Sequence, residues 1–296
     1  MRVIDLSKCI GENAGIMAFG FFDSIHLGHQ AVIRQAVSLA REINAKSSVF
    51  LFKNNIFPLL GIEKHPIYTF EERIELIRSL GVDSVFYVDA DQSYLSLSPI
   101  EFISDLKRKV RLCGFTCGVD FSFGALGCGR ARHLEEGIGG RFSVLDLLQV
   151  KGQKISSERV KSALLKGDLS TVFDCLGREF SIVRKVEFGR KDGGKLGFPT
   201  VNTALLSVPL RSGVYFTDVK ADGKNYRAVT NVGAHPTFAD MTVNIESHLL
   251  DFEEDLYGKE VTITFLKYHR MIERFDSPEM LAARIAEDVS ERRAYD

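Results

Sequence analysis

The hydrophobic period of this chain changes once, near Ser181, and that change constrains the fold more than any other feature. Before it, short apolar runs alternate with helical patterns. Ile16 to Phe22, Ser48 to Phe52 and Ser84 to Val88 read as strands. Val32, Ile33, Ala36, Val37 and Ala40, and later Phe70, Ile74, Ile77 and Leu80, recur at helical spacing. Ser98-Pro99-Ile100-Glu101 has the form of a capping box with proline at the first helical position, followed by Ile103, Leu106 and Val110 on one face. Ser156-Ser157 opens another helix through about Lys166, and a short helix after it ends at Gly177. This alternation predicts an α/β fold, a parallel sheet covered by helices. After Ser181, Val214 to Val219, Tyr226 to Val232, Val243 to Leu249 and Val261 to Tyr268 follow as β-rich runs, with Asp222-Gly223 as a hairpin turn. Helical period returns only after Ser277-Pro278, with Leu281, Ile285 and Val289. Consecutive strands of this kind predict a small antiparallel barrel closed by a terminal helix. The 296 residues therefore divide into expected domains 1–178 and 179–296.

Within the first half, His26-Leu27-Gly28-His29 falls in a strand-to-helix turn, where unpaired helix N–H groups face outward. Two imidazoles there can lie over phosphates and stabilise charge that builds on a departing pyrophosphate. The plainer alternative is that one histidine caps the helix and the other packs. A glycine-bounded turn, Gly118 to Gly124, contains Asp120, Phe121 and Phe123; it reads either as a surface loop or as a loop whose aromatic ring stacks on a flat ligand. Ser156 and Ser157 cap a helix by default and can also bond phosphate.

The second half joins Gly193-Gly194-Lys195-Leu196-Gly197 to Phe198-Pro199-Thr200-Val201-Asn202. Backbone N–H groups of such a loop can cradle phosphates while the Thr200 hydroxyl and Asn202 carbonyl hold a magnesium ion, which prefers oxygen. A plain glycine-rich hairpin is the alternative. Glu246 and His248 alternate with Ile245 and Leu249, so both face one side of a strand, and Glu246 is a candidate general base for a hydroxyl.

A net charge of -1 gives no electrostatic ground for a nucleic-acid or membrane partner. The first ten residues contain Asp5 and Lys8 and no sustained apolar segment, so neither a signal peptide nor a membrane helix is expected, and the chain reads as cytoplasmic. Five cysteines without a disulfide pattern agree with a reducing compartment. Cys113, Cys117, Cys128 and His133 depart from zinc-knuckle spacing.

Taken in order, Gly20 to Gln30, Asp120 to Gly124, Ile155-Ser156-Ser157, Leu196 to Asn202, Gly213-Val214-Tyr215, Asn231-Val232-Gly233, Pro236-Thr237, Glu246 to Phe252 and Asp255 to Gly258 resemble the bifunctional riboflavin kinase/FAD synthetase family of bacteria over nearly the whole chain. The resemblance implies a Rossmann-like nucleotidyltransferase domain followed by a β-barrel kinase domain. The barrel would phosphorylate riboflavin to FMN with MgATP, using Glu246 as base and Thr200 and Asn202 at the metal. The first domain would join FMN to AMP from a second ATP, giving FAD and pyrophosphate. ATP and its phosphates would meet Gly20, Phe21, Phe22, Asp23, His26, Gly28, His29, Ser156, Ser157, Arg159 and Lys161 there, and Gly193, Gly194, Lys195, Gly197 and Pro199 in the barrel. Asp120, Phe121, Phe123 and Gly124 would lie on the flavin side. The expected partners are small molecules, with at most weak self-association. Several positions depart from the family pattern: Ser24-Ile25 stands for Gly-Val, where the turn would use glycine's freedom. The run Phe52-Lys53-Asn54-Asn55-Ile56 lacks the proline expected after the second strand, Glu158 stands for a hydroxyl, Lys161 for arginine, and Gly194 for arginine. Arg184 replaces a glycine expected ahead of the first barrel strand. These departures motivate an alternative, a flavin-binding regulatory or monofunctional descendant with an impaired adenylyltransferase site.

Overall fold

The computed structural model describes residues 1–187, 198–205, 208–235, 240–252 and 254–295, without the side chains of residues 234, 235 and 240–243. They form two compact units, Met1–Ser157 and Glu158–Asp296.

In the first unit, β1 (Arg2–Asp5), β2 (Glu12–Phe19), β3 (Ser47–Phe52), β4 (Ser84–Val88), β5 (Val110–Gly118) and β6 (Arg141–Leu145) form one sheet in the order β1-β4-β3-β2-β5-β6. Every pairing in it is parallel. β3 is buried almost throughout, as a parallel strand covered on both faces must be. On one face, α1 (Leu27–Glu42) packs Ile33, Ala36 and Ala40 with Ile16, Ala18, Val49 and Leu51. On the other, α4 (Pro99–Lys109) packs Phe102, Ile103 and Leu106 with Phe19, Phe50, Phe86 and Phe115. The predicted capping box of α4 is present: the Ser98 hydroxyl accepts from the Glu101 N–H at 3.3 Å, and the Glu101 carboxylate accepts from the Ser98 N–H at 2.8 Å.

Two boundaries differ from the periodicity. β2 ends at Phe19 and not at Phe22, because Phe22 and Ile25 take φ of 49° and 47° and the chain turns. Val110, expected on the face of α4, is the first residue of β5, with an extended backbone and a buried side chain. After β4 the chain returns across the sheet to lay β5 against β2, so the strand order reverses between these two neighbours. In open parallel sheets ligands bind outside the carboxyl ends of the strands at such a reversal. The loop leading to α1 and the loop after β5 both open there.

The second unit is a closed antiparallel barrel of β9 (Phe180–Glu187), β10 (Val201–Ala204), β11 (Gly213–Ala221), β12 (Lys224–His235), β13 (Asp240–Leu249) and β14 (Glu260–Arg270). Asp222 and Gly223, at φ of 48° and 80°, make the predicted hairpin between β11 and β12. Arg184, expected ahead of the first barrel strand, lies inside β9 in its buried row with Phe180, Ile182 and Val186. Hydroxyls of Thr217, Thr230 and Ser247 form a buried chain at 2.6 and 2.8 Å, each satisfying its neighbour. The terminal helix α8 (Pro278–Ala294) is fastened by charge more than by its apolar stripe. Its buried Asp288 takes the Arg270 guanidinium at 2.6 and 2.9 Å and the His269 ring at 3.2 Å. Buried Arg292 donates to Asp218 and to the Thr217 carbonyl.

Candidate functional site

The turn after β2 is shaped by two non-glycine residues in the left-handed region, one of them the β-branched Ile25, a conformation that stores strain and concentrates at functional sites. His26 is the N-cap of α1: its Nδ1 accepts the His29 N–H at 3.1 Å. Its ring stacks on His29, centroids 3.7 Å apart and planes 14° apart. Gly28 makes this possible, since a Cβ there would stand 3.1 Å from the His26 ring. The capping role is therefore real, yet both rings also line an open cavity. Nδ1 of His29 is buried and has no hydrogen-bond partner among the described residues. Burial, and then the neighbouring His26, push the His29 pKa well below its ordinary value, so the ring is neutral near pH 7 in the unliganded protein.

Ser24 does not take the backbone conformation that would call for glycine; the positive φ values fall on Phe22 and Ile25 instead. Its buried hydroxyl shares a 3.0 Å hydrogen bond with that of Ser157, the first residue of α6 (Ser157–Lys166). This bond fastens Ser157 to the turn that leads into α1, whose unpaired N–H groups make a natural anion site. Asp23, also buried, accepts the Ile67 N–H at 2.8 Å, which fastens the turn to the segment carrying Phe57, Leu60 and Ile62. Where proline was expected, the Asn54 side chain bonds the Ala90 backbone in both directions, at 2.7 and 2.9 Å, tying the exits of β3 and β4.

The cavity measures about 800 Å³. Its wall combines His26, Gly28, His29, Ser156 and Ser157 with an apolar group that includes Phe57, Leu60, Ile62 and Phe121. The loop after β5 is fastened and not a loose surface loop: Phe123 and Gly129 exchange backbone hydrogen bonds at 3.3 and 2.8 Å, and the Ala125 N–H donates to Leu97 at 2.7 Å. Gly124 has φ 71° and ψ -179°, a region in effect reserved for glycine. Phe123 is core, packed on Phe102 at 5.1 Å, whereas Phe121 lies nearly parallel to it at 5.7 Å and is only half-buried. Asp120, at the start of this loop, is paired with Lys154 at 2.8 Å. Arg159 and Lys161 lie on α6, and Glu158 is exposed in its first turn, where a carboxylate suits the helix dipole.

In the barrel, register performs what sequence order conceals. Asn202 on β10 stands directly opposite Glu246 on β13, and Asn231 on β12 stands opposite Glu246 on its other side, so the three share one face. Glu246 and His248 are half-buried while Ile245, Ser247 and Leu249 are buried, the alternation predicted from the sequence. Nδ1 of His248 bonds the Pro199 carbonyl at 2.9 Å and Phe198 packs edge-on against its ring at 5.4 Å, which holds the entry to β10 in place. Thr200 precedes β10 and is half-buried. Gly193, Gly194, Lys195 and Gly197 lie outside the described residues. The sequence reading did not single out Asn231, opposite Glu246, or Lys154, on the cavity wall; each is a single polar side chain whose neighbours come from distant segments.

A family model for FAD synthetase matches residues 11–159, and one for riboflavin kinase matches residues 176–295. A bifunctional riboflavin kinase/FMN adenylyltransferase of Bacillus subtilis is 32% identical over 95% of this chain and 92% of its own. The protein of the same description from Escherichia coli K12 is 33% identical over 92% and 90%. Among solved structures, one described as a macrolide-efflux protein from Streptococcus pneumoniae covers all of both chains with a TM-score of 0.87 at 26% identity. No helix among the described residues here is long and apolar enough to cross a membrane.

Proposed function

Since the chain belongs to the family of bifunctional riboflavin kinase/FMN adenylyltransferases, we propose that its barrel converts riboflavin and ATP to FMN and that its sheet unit converts FMN and a second ATP to FAD and pyrophosphate. The observation that carries this reading is the presence in one chain of both constellations, stacked His26 and His29 at the strand-order reversal and Asn202 opposite Glu246 in the barrel.

In the kinase step Glu246 accepts the proton of the ribityl hydroxyl as that oxygen attacks the γ-phosphorus and ADP leaves. Thr200 and Asn202 present neutral hydroxyl and amide oxygens, a donor set suited to a hard cation bound mainly through nucleotide phosphates, so Mg²⁺ fits. When bound, the ion supplies charge neutralisation. The segment from Gly193, Gly194, Lys195 and Gly197 to Pro199 cradles the phosphates. In the adenylyl step an FMN phosphate oxygen attacks the α-phosphorus of ATP and pyrophosphate leaves. No protein nucleophile is needed, and the work is positioning and charge stabilisation. His26, His29, Ser156 and Ser157 meet the phosphates at the start of α1. Gly20, Phe21, Phe22 and Gly28 line the nucleotide's path, and Asp23 holds the turn. Asp120, Phe121, Phe123 and Gly124 form the flavin side, with Phe121 as the accessible ring. We assign 1–178 to the adenylyltransferase and 179–296 to the kinase, with small-molecule partners only. Residence in the cytoplasm fits five free cysteines and the demand for ATP.

Two variants test the assignment. His29→Ala abolishes FAD formation from FMN and spares FMN formation from riboflavin, and Glu246→Ala does the reverse. Loss of both activities in a variant that remains folded would show the two-site reading to be wrong.

A further inference from the structure

The cavity of the first unit must accept two polyanions on the reading above, yet among the described residues its wall contains a single lysine or arginine, Lys154. Its other ionisable lining groups are Asp120, Asp146, Tyr94 and the two histidines, of which His29 is neutral. The ATP phosphates have the start of α1 with its two histidines, and the hydroxyls of Ser156 and Ser157. Those groups supply hydrogen bonds and partial charge, and none of them is a permanent cation.

Lys154 lies on the cavity wall between Ser156 and the loop after β5. It ends the short strand β8 (Gln153–Lys154), paired with β7 (Gln149–Val150), two residues before Ser156. The Ile155 N–H donates to the Leu148 carbonyl at 2.9 Å, which fixes the backbone on its far side. Its ammonium lies 2.8 Å from the carboxylate of Asp120, the residue that precedes Phe121. Lys154 thus joins the phosphate-side serines to the loop carrying the accessible aromatic ring. The Lys154–Asp120 pair is about half-exposed, at 47% and 55%, and such pairs are weak enough for a doubly charged ligand to exchange into them.

We propose that Lys154 binds the phosphate of FMN, and that it makes the adenylyl-transfer site select the phosphorylated flavin over riboflavin. This assignment rests on the function proposed above. In the reaction the FMN phosphate oxygen forms a bond to the α-phosphorus while the bond from that phosphorus to the pyrophosphate oxygen breaks, and pyrophosphate carries the electron pair away. The ammonium offsets the repulsion between the two phosphates as they approach, and no proton moves to or from it.

The test is steady-state FAD formation by the full chain from FMN and ATP, for the unaltered protein, Lys154→Met and Lys154→Arg. Loss of one charge-assisted hydrogen bond to a phosphate raises the KM for FMN about tenfold, a factor that corresponds to about 1.4 kcal/mol. The KM for ATP stays within about twofold, Lys154→Arg restores most of the FMN affinity, and the dependence of kcat/KM on salt becomes shallower in Lys154→Met. Equal increases in both KM values, no change in the KM for FMN, or failure of Lys154→Arg to rescue would each overturn the assignment while leaving the proposed function intact. Absence of FAD with the unaltered chain would overturn both.

Discussion

On the function proposed above His26 both caps α1 and meets phosphate, and substitution can separate the two roles. Its Nδ1 caps α1 by accepting the His29 N–H at 3.1 Å, and its ring, stacked on His29, lines the cavity. His26→Ala removes both. Loss of an N-cap costs about 1 kcal/mol, which for a unit of this size lowers its melting temperature by about 2–4 °C. His26→Asn restores a side chain that caps as well as any, so most of that stability returns, but it places no imidazole over the phosphates. Removing one preorganised donor from developing charge typically costs about 10²- to 10³-fold in rate. FAD formation from FMN and ATP is therefore expected to fall by that factor in both variants, while the melting temperature falls only in His26→Ala and FMN formation is unchanged in either. The assays are chromatographic separation of the flavins and a thermal melt. Recovery of FAD synthesis together with stability in His26→Asn would refute the reasoning and leave His26 as a cap alone.

Protonation of His29 is disfavoured in the folded protein, so the unfolded chain takes up that proton first as pH falls through about 6.5. The stability this represents is complete above that pH and is lost as pH falls from there towards the depressed folded value; denaturant midpoints at pH 7.5 and 5.5 should therefore separate more for the unaltered protein than for His29→Phe, and equal separations would contradict the assignment. Asp288→Ala leaves Arg270 and His269 facing an uncompensated site beneath α8 and is expected to destabilise the barrel by about 3–5 kcal/mol, read by chemical denaturation, with a loss below about 1 kcal/mol excluding a buried latch. Ser24→Gly, which restores the residue usual in the family, should destabilise by about 1–2 kcal/mol, because it deletes a part-buried hydrogen bond to Ser157 and adds backbone freedom at a residue without positive φ; a stabilising effect in the same melt would show that the turn prefers glycine after all.

The sequence disclosed those parts of the molecule whose signals are local. A capping box is confined to four residues, so Ser98 to Glu101 could be read directly, as could the Asp222-Gly223 hairpin and the position of the two histidines between strand and helix. Alternating period also separated the covered parallel sheet from the barrel, because two-sided and one-sided burial leave different patterns. Non-local pairing left no such trace. That Asn202 faces Glu246 depends on the register of β10 against β13, and that Ser24 reaches Ser157 depends on a contact between segments 133 residues apart. Ser24 reads as a departure from pattern when the chain is taken one residue at a time; in the fold its hydroxyl replaces flexibility with a cross-link. Val110 shows the limit in the other direction, since a valine that continues a helical face equally well begins a buried strand.

The central claim is that one chain performs both steps in order, and the direct test is a chromatographic time course of the purified protein with riboflavin, ATP and magnesium, following FMN and FAD separately. The account predicts that FMN accumulates first and that FAD follows at its expense. FMN that persists without FAD would contradict an active site at His26 and His29, and neither product would contradict the whole assignment in favour of a flavin-binding protein without turnover.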